Sequence, residues 1–214
     1  MTDIGGENTQ DVTTKVLKVI VVGEMGTGKT SWIRQYVQGF FSEFYKTTIG
    51  VDFANKNITW NDGVQINLQL WDIAGQERYG NMTHVYYQEA VGALVIFDVN
   101  RTKSFDMVKE WKADIDSKVL TSTGEPIPSL LLGNKIDIAS EGKWNGQENI
   151  ENYVKEHNFI GFFETSAREK TNIDKAAQFL VDYIMNNHIE PATTNKENAV
   201  DLTNPSNQKG GGCC

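Results

Sequence analysis

Apolar and polar positions along the chain follow two periods. Val16-Leu17-Lys18-Val19-Ile20-Val21-Val22, Gly92 to Asp98 and Ser129 to Gly133 are short, nearly unbroken apolar runs. Such runs read as strands buried on both faces, as in parallel sheets. Val51 to Trp60 and Val64 to Trp71 alternate instead, and Asn61-Asp62-Gly63 between them signals a hairpin. Ile160 to Glu164 is a last strand. Helical spacing is expected over Thr30 to Gln38, Val85 to Ala90, Ser104 to Leu120 with Ser104 as N-cap, and Gln147 to His157. Asn172 to His188 is amphipathic, with Ile173, Ala176, Ala177, Leu180, Val181 and Ile184 on one face. Gly39 to Gly50 and Asp72 to Thr83 read as loops, and no repeat is visible.

Strands alternating with helices predict an α/β fold with helices on both faces of a mostly parallel sheet. Six strands are expected, one of them an antiparallel edge strand supplied by the hairpin. Ligands of such sheets bind beyond the C-terminal strand ends. The loops at Gly23, Gly39, Asp72, Asn134 and Thr165 are expected to converge there. Residues 1–14 are polar and expected to be disordered, 15–188 form the domain, and 189–214 read as a flexible tail too poor in apolar groups to fold.

Composition narrows the partners. A net charge of −8 disfavours a nucleic-acid partner. His84, His157 and His188 are scattered, so no metal cluster of histidines is visible. The only cysteines, Cys213 and Cys214, end the chain, which suits a reducing compartment. No N-terminal apolar segment suggests secretion, and no apolar stretch is long enough to span a bilayer.

The stretch after the first strand is Gly23-Glu24-Met25-Gly26-Thr27-Gly28-Lys29-Thr30, a G-x-x-x-x-G-K-[ST] phosphate loop between strand and helix. Its glycines admit close backbone approach to an anion, and the following helix N-terminus favours negative charge. Lys29 would reach the β- and γ-phosphates, and the Thr30 hydroxyl would hold Mg²⁺. Asp72-Ile73-Ala74-Gly75-Gln76 offers a carboxylate for the metal, a backbone N–H at Gly75 for the γ-phosphate, and Gln76 to orient an attacking water. Asn134-Lys135-Ile136-Asp137 offers Asp137 to accept from guanine N1–H and its exocyclic amine, with the Lys135 stem over the base. Adenine lacks that donor pair. Thr165-Ser166-Ala167-Arg168 could support guanine O6 through backbone amides. Thr48 could complete the Mg²⁺ shell and Phe41 could pack on the base. Each short motif alone also reads as a turn, a helix cap or core packing. Their order is what is specific.

That order resembles the Ras superfamily of small GTPases over about Val16 to His188. Ile49-Gly50-Val51-Asp52-Phe53, Leu70 to Tyr79, Tyr86-Tyr87 with Ala90 and the Cys-Cys end resemble the Rab family. Ile73, Gly80-Asn81-Met82-Thr83 and Phe163 to Ala167 look most like the Rab subgroup of lysosome-related organelles.

The resemblance implies a P-loop G domain that binds GTP or GDP with Mg²⁺ and hydrolyses GTP slowly unaided. It implies a nucleotide site of Glu24, Met25, Gly26, Thr27, Gly28, Lys29, Thr30, Ser31, Phe41, Thr48, Gly75, Asn134, Lys135, Asp137, Ser166, Ala167 and Arg168. Thr30, Thr48 and Asp72 are the implied metal ligands, and Gln76 the catalytic residue. Phe53, Trp71 and Tyr86 match an effector-binding aromatic triad, whereas Trp60 and Trp111 read as packing residues. Exchange factors, GTPase-activating proteins, a GDP-dissociation inhibitor and effectors are the implied partners. A monomer is expected, anchored by geranylgeranyl groups on Cys213 and Cys214 to the cytoplasmic face of intracellular membranes. That face is expected to be lysosome-related or endosomal, with the protein cycling through the cytosol. Met25 stands where Ras has glycine, and Ile73 where most Rabs have threonine. Met25 therefore also motivates a nucleotide-loaded scaffold with negligible turnover. A P-loop kinase or ATPase is the third reading, against which Asp137 argues.

Overall fold

The computed structural model describes residues 13–44, 47–61, 63–79, 83–138 and 147–192. Six strands form one sheet: β1 (Thr13–Val22), β2 (Val51–Asn61), β3 (Val64–Ile73), β4 (Gly92–Asp98), β5 (Ser129–Asn134) and β6 (Phe162–Thr165). Their spatial order is β2-β3-β1-β4-β5-β6, parallel throughout except for the β2–β3 hairpin at one edge. The helices are α1 (Lys29–Gln38), α2 (Thr83–Tyr87), α3 (Thr102–Asp106), α4 (Val108–Lys118), α5 (Gln147–Glu156) and α6 (Ile173–Asn186). The α/β class, the parallel sheet and its antiparallel edge are as the apolar pattern predicts.

The unbroken apolar runs are explained by two cores. On β1, Val19 and Val21 face one cluster with Trp32, Ile33 and Tyr36 of α1 and Leu180, Val181 and Ile184 of α6. Ile20 and Val22 face the other, with Tyr87 of α2 and Val108, Trp111 and Ile115 of α4. From Val19 to Val22 neither side of the strand meets water, so alternation disappears there. Each large side chain buried this way contributes about 1.5–3 kcal/mol. Trp111 is fully buried, and Trp60 is half-buried with Nε1 donating to Asp182 Oδ1 at 2.9 Å.

Several boundaries differ from expectation for local reasons. β1 begins at Thr13, inside the stretch read as disordered, because Thr13 N–H donates to Gly63 O at 2.8 Å and pairs with Val64. Those first residues are exposed, so their polar composition hid the strand. The expected helix from Ser104 to Leu120 is two helices joined at Met107, whose backbone stays near helical (φ −81°, ψ −9°). Ser104 is not an N-cap. It is buried in the first turn of α3, accepts from Asp98 N–H at 3.0 Å and lies 2.7 Å from Arg101 O. β3 continues through Asp72 to Ile73, so Asp72 sits within a strand, paired with Asp52 and Val21. The first residues of the expected tail are also held. Ser122 N–H donates to Glu190 O at 2.8 Å, Ala192 N–H donates to Leu120 O at 3.3 Å, and Pro191 bridges Thr121. Residues 1–12, Asp62 of the hairpin, Gly80-Asn81-Met82 and the tail from 193, with Cys213 and Cys214, lie outside the described residues.

Candidate functional site

The phosphate loop joins β1 to α1, and its carbonyls can be followed one by one. A loop whose N–H groups turn toward an anion must turn its carbonyls outward, and buried carbonyls need donors. Lys29 Nζ donates to Gly23 O at 2.8 Å and Glu24 O at 3.0 Å. Arg101 Nη2 donates to Met25 O at 2.8 Å, and Lys135 Nζ to Gly26 O at 2.7 Å. Asn134 Nδ2 donates to Thr27 O at 2.9 Å, and Trp32 N–H to Gly28 O at 2.8 Å. Six consecutive carbonyls are therefore paired by side chains at the start of α1, after β4, and at and just after the end of β5, and by the backbone of the first turn of α1. Gly23 must be glycine, since φ is 140° and a Cβ would overlap Ile96 O.

The loop borders a cavity of about 280 Å³ at the C-terminal ends of the strands. All five expected loops reach it, through Met25, Gly26 and Gly28, through Phe40 to Phe44 with Thr47 and Thr48, through Ala74 and Gly75, through Asn134, Lys135 and Asp137, and through Ala167 and Arg168. Lys29, Thr30 and Ser31 complete its floor. Burial lowers the Lys29 pKa to about 8, against the opposing pull of Asp72. A cation buried beside uncompensated space suits an anionic ligand.

At the end of the cavity beside α1 three oxygens meet. Thr30 Oγ1 donates to Asp72 Oδ2 at 2.5 Å, and the two threonine hydroxyls of Thr30 and Thr48 are 2.7 Å apart. Thr48 Oγ1 lies 3.2 Å from Asp72 Oδ2. Asp72 Oδ1 is buried without a hydrogen-bond partner. Burial raises the Asp72 pKa, and the hydroxyls and Lys29 only partly offset it. One carboxylate and two hydroxyls, hard oxygen donors with a spare buried lone pair, fit Mg²⁺.

At the other end Asp137 Oδ1 accepts from Ser166 Oγ at 2.6 Å, which orients the carboxylate. Asn134 Oδ1 takes Ala167 N–H at 3.3 Å and Thr165 Oγ1 at 3.2 Å, tying the ends of β5 and β6 together. Arg168 Nη2 reaches Glu43 Oε1 at 3.0 Å across the mouth. Phe41 lines the cavity and also packs on the core.

Some expected residues stand apart. Gln76 is exposed in the 3₁₀ turn Gly75–Tyr79 and does not line the cavity. Glu24 and Thr27 support the loop from behind, where Thr27 Oγ1 donates to Glu24 O at 2.9 Å. Ser166 does not line the cavity and reaches it only through its hydrogen bond to Asp137. Phe53 stacks on Trp71, with centroids 6.1 Å apart, and is 65% exposed. Trp71 and Tyr86 are half-buried against the second core. Sequence reasoning missed Arg34, Phe40 and Ile138 in the lining, and Arg101 behind the loop. No motif marks Arg101. Its only signal is its place just after a strand that ends beside the loop.

The Ras family sequence profile matches residues 18–186. The chain belongs to the Ras family. It is 50% identical to Ras-related protein Rab-32A of Dictyostelium discoideum over 208 residues, 92% of each chain. It is 51% identical to human Ras-related protein Rab-32, over 87% of this chain and 81% of that one. Rat Ras-related protein Rab-7L1 is 43% identical over 93% of this chain and 97% of its own. This Ras-family chain is thus of the Rab type, a GTPase switch that binds GTP and hydrolyses it, of the type that works in membrane traffic.

Proposed function

We propose that the cavity holds a guanine nucleotide whose phosphates lie over residues 24–31 and whose base lies between Phe41, Lys135 and Asp137. Thr30, Thr48 and Asp72 would hold Mg²⁺, which would offset the charge of the phosphates. The observation that carries this reading is the meeting of those three oxygens, from three separate elements, around a buried Asp72 oxygen with no partner. Lys29 supplies positive charge to the same place. Asp137, oriented by Ser166, accepts from guanine and leaves adenine unmatched. The Ala167 and Arg168 amides serve O6.

The γ-phosphate is the latch of the switch. It draws Thr48 and Gly75 to itself and orders the loops on which they stand. Gln76 comes to the attacking water as the turn that carries it closes, and its amide then orients the water. Met25, 55% exposed at the rim, obstructs an incoming arginine from an activating protein. Phe53, Trp71 and Tyr86 form the surface that effectors read. Exchange factor, activating protein and GDP-dissociation inhibitor are the remaining partners. Lipid on Cys213 and Cys214 places the switch on the cytoplasmic face of intracellular membranes, of lysosome-related or endosomal type. Among the described residues no helix is long and apolar enough to cross a membrane.

The test is to denature purified protein and identify what it releases, then to follow single-turnover hydrolysis. Guanine nucleotide is expected, and Gln76→Leu is expected to slow hydrolysis about a hundredfold with GTP affinity nearly unchanged. Empty protein indifferent to guanosine phosphates would refute the nucleotide reading. Unaltered hydrolysis by Gln76→Leu would refute the role of that residue.

A further inference from the structure

Asp98 belongs to no motif. It ends β4 and is only 4% exposed, yet its whole carboxylate is engaged. Oδ1 accepts Asn100 N–H at 3.0 Å and Asn100 Nδ2 at 3.1 Å. Oδ2 meets two cations, Lys135 Nζ at 2.8 Å and Arg101 Nε at 3.3 Å. Burial pushes the carboxyl up, but Lys135 and Asn100 outweigh it and hold it below the usual carboxylate range.

Each cation has a second acceptor, and the two acceptors are neighbouring carbonyls of the phosphate loop. Arg101 holds Met25 O and Lys135 holds Gly26 O. The other loop carbonyls are held by Lys29, Asn134 and Trp32, which do not depend on Asp98. Lys135 meanwhile adopts a left-handed backbone (φ 70°), unfavourable for a lysine, with Asn100 Nδ2 donating to its carbonyl at 3.2 Å. One buried carboxylate therefore aims both cations and ties the base-side loop to the phosphate loop.

We propose that Asp98, acting through Arg101 and Lys135, sets how long the protein keeps its bound guanine nucleotide. Asp98 and Arg101 are positioning residues. Without the carboxylate charge, Arg101, 46% exposed in its side chain, leaves for solvent, and Lys135 loses the partner that aims its stem. Met25 O and Gly26 O then lose the side-chain donors that fix them, and the loop relaxes away from the conformation that grips phosphate. Base and phosphate ends loosen together because one group held both.

This inference rests on the nucleotide reading above, and the experiment separates the two. Wild type, Asp98→Asn, Arg101→Ala and the double variant are loaded with a fluorescent GDP analogue. Release is followed on adding excess unlabelled GDP with Mg²⁺ present, and thermal unfolding is measured in parallel. Asp98→Asn is expected to release about tenfold faster or more and Arg101→Ala several-fold faster, as for loss of a buried charge pair. The double variant is expected to match Asp98→Asn alone, because Arg101 acts through that carboxylate. Arg101 is partly exposed, so its variant carries the test should Asp98→Asn fail to fold. Release at the wild-type rate by Arg101→Ala, or by a folded Asp98→Asn even with a lowered unfolding temperature, would overturn the inference. So would effects that multiply in the double variant. Wild-type protein that loads no analogue would instead overturn the nucleotide reading, and this inference with it.

Discussion

Replacing Gly75 with alanine tests the switch most directly. Gly75 backs onto the phosphate loop so closely that an added Cβ would sit 2.8 Å from Glu24 C, 2.9 Å from Met25 Cα, and closer still to Met25 N. Ordinary carbon contacts begin near about 3.5 Å, so the two segments must separate by roughly half an ångström or more. The obstructing atoms are backbone, and no rotamer change relieves them. Overpacking of this kind costs about 1–3 kcal/mol. The turn Gly75–Tyr79 can escape that cost by swinging away, so the cost falls on the arrangement in which Gly75 packs against the loop. Gly75→Ala should therefore shift the balance toward the open loop by about 5- to 150-fold and slow single-turnover GTP hydrolysis by a similar factor. Thermal unfolding of the nucleotide-free protein should fall by less than that cost, because Gly75 is buried but its turn can move away. Trimming Met25 to alanine in the same chain should not restore the rate, because the clash is with Met25 backbone. Hydrolysis by Gly75→Ala at the wild-type rate would refute the reasoning.

Two further outcomes are expected. Burial, with Asp174 adding to it, pushes the Tyr36 hydroxyl up to about 12, above its ordinary value of 10.0. Its folded form thus resists ionisation, so its contribution is whole below pH about 10 and is lost as pH rises from there toward about 12. Urea unfolding across that interval should lose up to about 2–3 kcal/mol from this group, and Tyr36→Phe should flatten that slope; an equal slope in the variant would count against it. Changing Cys213 and Cys214 to serine should move the protein from membrane to soluble fractions of cells while GDP loading stays intact, and unchanged partitioning would rule out lipid attachment there.

The sheet was legible because burying a strand on both faces leaves an unbroken apolar run, and Gly92 to Asp98 shows it with both ends correct. Thr13 to Lys15 were not legible, because an exposed strand extension held by β3 has no apolar signature. The seam at Met107 was invisible because the residue remains near helical while the hydrogen-bond ladder is interrupted. Ser104 shows the hazard of local rules, since a hydroxyl near a helix start can serve the strand before it as readily as cap the helix. In the site, motif residues were legible because backbone wrapping and charge recognition demand particular residue types at fixed spacing. Asp98 and Arg101 were not, because they act across 76 residues of chain by supporting loop carbonyls, a task that any suitably placed cation and its counter-ion can perform.

The pairing of Glu190 to Ala192 with Leu120 to Ser122 decides where the last stretch of chain departs. That strap lies beside the entry to β5, at the floor of the sheet, whereas the cavity opens at its ceiling. Fully extended, residues 193–214 span no more than roughly 70–80 Å. A bilayer gripping the end of that leash would tether the molecule from the underside, the side away from Phe53 and the two loops around the cavity.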